Sequence, residues 1–144
     1  MARAQRSLRQ SKRHVLSGRI SHERPARFLL KRSLLEVFGQ RDSARWAEAI
    51  AEIYATDCTF YEAEGKIVGH NALNAKIGSI LEEAPGFVFV AVRPAQVNHD
   101  LGRLQWRFGP PGASPVVKGV DVALFRHGRI RALLYTYIDK PASK

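Results

Sequence analysis

Ile53-Tyr54-Ala55-Thr56-Asp57-Cys58-Thr59-Phe60-Tyr61-Glu62-Ala63-Glu64-Gly65 is the stretch over which the chain changes its period. Before it, Trp46, Ala49, Ile50, Ile53 and Tyr54 recur at intervals of three and four, the spacing of a helix with one buried face. Asp42 or Ser43 can cap that helix, and Asp57 marks its end. Residues 58–62 then alternate as a short strand does. Further back, Leu30, Leu34, Val37 and Phe38 form a stripe that begins at Phe28 and is stopped by Gly39, which predicts a first helix. Further on, residues 65–69 read as a turn-containing connection and residues 71–81 as a third helix, with Leu73, Ile77, Ile80 and Leu81 inward and Pro85-Gly86 closing it.

After Gly86 the pattern is strand and hairpin. Residues 87–97 are β-rich, Asp100-Leu101-Gly102 offers a turn, and residues 103–108 alternate charged with apolar or aromatic side chains. Residues 116–125 and 130–138, joined by the turn His127-Gly128, complete an antiparallel meander. Helices first and strands afterwards predict an α+β domain in which three helices cover one face of a strongly curved, mainly antiparallel sheet.

Composition narrows the function classes. The 144 residues carry a formal net charge of +10, yet ten of the 23 Lys/Arg and one of the 13 acids fall in residues 1–32, so the remainder is nearly neutral. The excess charge belongs to a tail and not to a binding face. Residues 1–27 are Arg- and Ser-rich with isolated apolar residues and are expected to be a disordered basic extension, followed by a domain over 28–140 and a short tail over 141–144. The extension is open to three readings: no function, a targeting segment, or an arm for nucleic acid or another acidic surface, the last being the one route to nucleic acid. One cysteine, Cys58, allows no internal disulfide, so the cytoplasm is the default location. No apolar run approaches the ~20 residues of a membrane span. His, Cys and acids show no paired spacing, so no metal site is expected.

Residues 53–65, together with Gly119-Val120-Asp121-Val122-Ala123-Leu124-Phe125, Gly128-Arg129-Ile130 and Tyr135-Thr136-Tyr137-Ile138-Asp139, resemble the SnoaL-like branch of the nuclear transport factor two-like superfamily, over residues 33–140. This branch includes polyketide cyclases, and its relatives include ketosteroid isomerases. The resemblance implies a cone with a mostly apolar cavity opening at one end, and homodimers through the outer face of the sheet. It implies a protein that binds a small, largely apolar organic molecule, with cofactor-free proton transfer (isomerisation or cyclisation) as its enzymatic form. A non-catalytic ligand-binding or dimeric interaction module is the alternative.

Alternation puts Phe60 and Glu62 on one face of their strand, and Asp121 on one face with Gly119, Ala123 and Phe125. Both acids therefore keep apolar company. By resemblance to ketosteroid isomerases, Glu62 falls at the position of the carboxylate base, Asp121 at that of the acid which stabilises an enolate oxygen, and Tyr137 at that of an aromatic cavity wall. An apolar site raises a carboxyl pKa, so one acid can donate a hydrogen bond near neutral pH while a wetter one accepts a proton. Ketosteroid isomerases themselves hold one carboxylic acid neutral in this way. Glu62 is expected near the open end beside Glu64 and Lys66, and Asp121 deeper among aromatics. A solvent-facing rim for Glu62 and a purely structural Asp121 are the competing readings. The isomerases' tyrosine on the first helix has no counterpart in residues 28–39, which leaves Tyr54, Tyr135 and Trp106 as candidate donors. Phe60 and His99 complete the candidate pocket lining.

Overall fold

The computed structural model describes residues 25–139. The chain is helical over 25–38 (α1), its last six residues, Ser33–Phe38, wound as π-helix. Residues 25–27 were expected in the extension; they are helical instead, and Ala26 is buried. Pro25 is no obstacle, because the first turn of a helix tolerates proline. Most of the expected basic extension, and the tail over 141–144, lie outside the described residues.

Helix α2 spans Ser43–Ile53, and its cap is Asp42, whose carboxylate accepts the N–H groups of Ala44 and Arg45 at 3.0 and 3.2 Å. Strand β1, Tyr54–Glu62, follows without a loop, so Tyr54 is the first residue of a strand and not the last of a helix. The apolar spacing hid this, because Tyr54 is buried in either conformation. Gly65–Val68 forms a short strand, β2, where a connection was expected. Helix α3 spans His70–Glu83, and His70 Nε2 lies 3.0 and 2.9 Å from the carbonyls of Tyr54 and Ala55, joining the helix start to the α2–β1 junction.

The 87–97 region divides into β3, Val88–Ala91, and β4, Gln96–Asn98, each paired with β5. Pro94 stands in the break, where the missing N–H costs no ladder bond. Strands β5 (Leu101–Gly109), β6 (Val117–Arg126) and β7 (Arg129–Asp139) form the meander. The turn expected at 100–102 sits at His99 and Asp100, with His99 in the left-handed region at φ 54°, and Leu101 and Gly102 pair with Leu124 and Ala123. Gly102 serves packing: a Cβ there would meet Leu30 Cδ1 at 2.8 Å and Phe125 Cε2 at 2.9 Å.

The sheet runs β2-β1-β7-β6-β5-β3, with β4 also on β5. Among the described residues every pairing is antiparallel except β1 with β7, which is parallel. The result is the expected α+β architecture of three helices on a curved seven-stranded sheet. The inner face carries Phe60, Leu104, Trp106, Asp121, Leu133 and Tyr135, all buried, under Leu30, Leu34 and Phe38 of α1 and Ile50 and Ile53 of α2. Arg41, between α1 and α2, donates to the carbonyls of Leu81, Ala84 and Phe87 at 2.8, 2.7 and 2.7 Å. It thereby supplies the positive charge at the C-terminus of α3 that the helix's own last turn lacks.

Candidate functional site

Alternation along β6 turns Asp121 inward, and the protein buries it completely. Its neighbours follow from the ladder: Leu104 of β5 and Tyr135 of β7 are its cross-strand partners, and Trp106 stands one diagonal step away, opposite Gly119. Trp106 Nε1–H donates to Asp121 Oδ1 at 2.9 Å, whereas Oδ2 is buried with no hydrogen-bond partner. Burial pushes the Asp121 carboxyl from 3.8 up to about 7, against the Trp106 hydrogen bond, which pulls it down.

Gly119 makes this contact possible. A Cβ at that position would lie 2.2 Å from Trp106 Cζ2 and 2.6 Å from the Thr136 carbonyl oxygen. The ladder also shifts register between Lys118 and Gly119, so the glycine marks both a bulge and a close approach. The space beside it belongs to the indole.

Aromatic rings enclose the acid. Tyr135 stacks on Trp106 at 4.9 Å between centroids and on Phe38 at 5.6 Å, and Phe89 meets Trp106 edge-on at 5.3 Å. Phe60 packs against both Phe38 and Tyr135, and Tyr137 lies edge-on to Tyr135 at 5.4 Å. Tyr135 is hydrogen-bonded to Tyr137, and burial pushes its hydroxyl above the ordinary tyrosine range. Tyr54 is also pushed up by burial; its hydroxyl shares a hydrogen bond with the buried Ser33 of α1, and it feels the field of Asp121. Ser33 thus stands on the first helix where no tyrosine is available.

Glu62 is near enough to Tyr135 for its charge to act on that hydroxyl. It was expected beside Glu64 and Lys66, but its partner is Lys76 of α3, whose Nζ is 3.1 Å from Glu62 Oε1 and 3.5 Å from Glu64 Oε2. Lys66 instead places its ammonium 5.9 Å from the Tyr61 ring centroid, on the opposite face of β1. The Glu62 side chain is 12% exposed, so it occupies a half-closed position between core and water. Lys76 was missed, although it falls three residues after Leu73 and beside Ile77, on the margin of a buried stripe, where a lysine is out of place unless paired.

Seven of the eight residues singled out by the sequence therefore gather on or beside the inner face: Asp121, Glu62, Tyr54, Phe60, Trp106, Tyr135 and Tyr137. His99 does not join them; it is exposed in the turn before β5, because its left-handed backbone serves the turn. Among the described residues no three of His, Cys, Asp and Glu gather so as to hold a metal ion. Likewise, among these residues no helix is long and apolar enough to cross a membrane.

The profile of the SnoaL-like domain matches residues 32–133. Among solved structures, a SnoaL-like family protein of Agrobacterium tumefaciens, provisionally named an isomerase, superposes with a TM-score of 0.72 at 19% identity, over 78% of this chain and 96% of that one. A SnoaL-like protein of Jannaschia, provisionally named a polyketide cyclase, gives 0.63 at 15% identity over 76% and 83%. A protein of Kribbella flavida, provisionally named a ketosteroid isomerase, gives 0.62 at 12% identity over 84% and 83%. These likenesses establish the fold. No protein of curated function matches the chain in sequence.

Proposed function

Because the chain belongs to the SnoaL-like domain family, we propose that it binds a small, largely apolar organic molecule against the inner face of its sheet and moves a proton on it without a cofactor. Asp121 is the donor or orienter and Glu62 the acceptor. The observation that carries this reading is the buried, unpartnered Oδ2 of Asp121. A carboxyl group raised to about 7 in an apolar interior keeps its proton in about half of the molecules at pH 7, where an ordinary aspartate has lost it. With Oδ1 occupied by the indole N–H, the proton belongs on Oδ2, where it can be donated to a ligand oxygen. Glu62, ion-paired with Lys76 at the margin of the same aromatic group, is the complementary carboxylate. Two acids in unlike environments take unlike roles.

The aromatic packing favours a second reading. Trp106, Tyr135, Phe38 and Phe89 close around Asp121, so a ligand reaches Oδ2 only when these rings move. If they do not, the domain is a non-catalytic module. In both readings the outer face of the sheet, which exposes Tyr61, Leu101 and Leu134, is the surface through which two copies pair, and the protein works in the cytoplasm.

Native mass spectrometry of the purified protein, followed by thermal-shift screening with ketosteroids, aromatic polyketides and terpenoids, separates the two. A retained molecule or a stabilising compound supports the pocket and supplies a substrate class for assay. Glu62→Gln and Asp121→Asn should then each lower turnover at least tenfold, about 1.4 kcal/mol of transition-state stabilisation. No bound species and no shift across the panel would leave the non-catalytic reading, and unchanged turnover in both variants would remove the assigned roles.

A further inference from the structure

A concavity lies outside the Asp121 group, between α1 and the connection from β3 to β4. Its volume is about 520 Å³, within the span of small-molecule sites. Leu104, almost fully buried, is part of its lining, and Phe28, Pro94 and Ala95 extend the apolar surface, Phe28 being 63% exposed. Leu104 is the cross-strand partner of Asp121, so the cleft and the interior acid are neighbours with a leucine between them.

Among the described residues, the charges lining this cleft are all of one sign: Arg27, Lys31 and Arg93 line it and no acid does. Neither Lys31 nor Arg93 has an acidic partner among the described residues, in contrast to Arg32 on the same helix, which is held by Glu36 at 2.7 Å and Glu52 at 2.6 Å. An exposed, apolar concavity with two unneutralised cations fits a ligand with one anionic head and an apolar body. A planar carboxylate suits the forked donors of an arginine particularly well. A polyanion such as nucleic acid would leave the apolar lining unmatched. The N-terminal stretch of the same chain is also a poor occupant, since residues 1–24 carry seven Lys/Arg and one acid, the sign of the cleft itself.

We propose that the cleft between α1 and the β3–β4 connection is a binding site for an alkyl or aryl carboxylate, with its apolar body against Phe28, Pro94, Ala95 and Leu104 and its head between Lys31 and Arg93. This site does not depend on the proton-transfer reading of Asp121.

The test is calorimetric titration of the full chain with decanoate below its micelle concentration, with decan-1-ol as the uncharged probe of equal length. Decanoate should bind, and decan-1-ol at least tenfold more weakly. The Lys31→Gln/Arg93→Gln variant should lose at least tenfold in decanoate affinity with its melting temperature unchanged, since both side chains are exposed. Ala95→Trp, which fills the cleft, should abolish binding, whereas Asp121→Asn should retain it. The site is overturned if the wild type does not bind decanoate or binds decan-1-ol equally well. It is overturned too if the double variant binds like the wild type, which would assign the affinity to the basic N-terminal stretch, or if Asp121→Asn loses binding, which would place the probe in the interior.

Discussion

Replacing Asp121 with asparagine should stabilise the protein progressively, relative to wild type, as the pH rises from 5 to 8. The unfolded chain releases the Asp121 proton near 3.8, while the folded protein holds it to about 7. Between those values the native state binds one more proton than the unfolded state, so unfolding becomes easier with rising pH. The contribution of the protonated acid is complete below 3.8, is lost through the interval, and stays lost above 7. Each unit is worth about 1.4 kcal/mol. About two units of the interval fall between pH 5 and 8, so Asp121 should cost the wild type on the order of 3 kcal/mol over that range. Asparagine has no such titration, and its amide can still accept from Trp106 Nε1 and present an N–H in place of the Oδ2 proton. Urea unfolding of both proteins at pH 5 and pH 8 gives the measurement, because other titrating groups cancel in the difference. A difference that is constant with pH, or that moves in favour of the wild type at pH 8, would refute the description of Asp121 as a buried acid held neutral by its surroundings.

Three further outcomes follow from neighbouring contacts. Trp106→Phe removes the hydrogen bond that pulls the Asp121 pKa down, so the acid should titrate above the wild-type value of about 7, as read by carbon NMR of labelled aspartate. It should also lose about 1–3 kcal/mol of stability, and an unmoved titration would contradict the assigned cause. Gly119→Ala forces a methyl into the indole and should cost about 1–3 kcal/mol or more in urea unfolding. A neutral substitution would show that the β6–β7 bulge yields freely. Arg41→Ala removes the guanidinium shared by the carbonyls of Leu81, Ala84 and Phe87, leaving the first two only their backbone donors, Ala84 and Phe87 N–H, and should cost about 1–3 kcal/mol, with faster amide exchange at Ala84 and Phe87; unchanged exchange there would remove the capping role.

The parts of this protein legible in its sequence are those governed by local periodicity. The stripe Trp46, Ala49, Ile50 and Ile53 and the alternation through Asp121, Ala123 and Phe125 each specify one buried face, and they suffice for helices followed by sheet. What escaped is set by tertiary partners. Gly65-Lys66-Ile67-Val68 pairs as a strand only because β1 lies alongside, and its flanking glycines look like a loop. Gly102 looks like a turn residue until Leu30 is seen occupying the place of its missing side chain. The acids were visible as types on faces, but the Trp106–Asp121 bond depends on β5–β6 register and the Lys76–Glu62 pair on where α3 crosses the sheet. A glycine opposite a tryptophan was the available signal for the first, and a lysine on an apolar stripe for the second.

The parallel pairing of β1 with β7 has a consequence for how the molecule is made. β1 joins the main body of the sheet through β7, with Thr59 beside Ala132 and Tyr61 beside Leu134. The helices, β1 and β2 are complete in the first eighty-odd residues, yet the strand that seals them to β6 is the last element of the described chain. Closing so distant a pair is entropically expensive and slow compared with forming the β5–β6–β7 hairpins. During synthesis the helical half must therefore wait, with the inner edge of β1 unpaired, until β7 has emerged. The aromatic shell of Asp121 is assembled in the same final step, because Tyr135 and Tyr137 arrive on that strand.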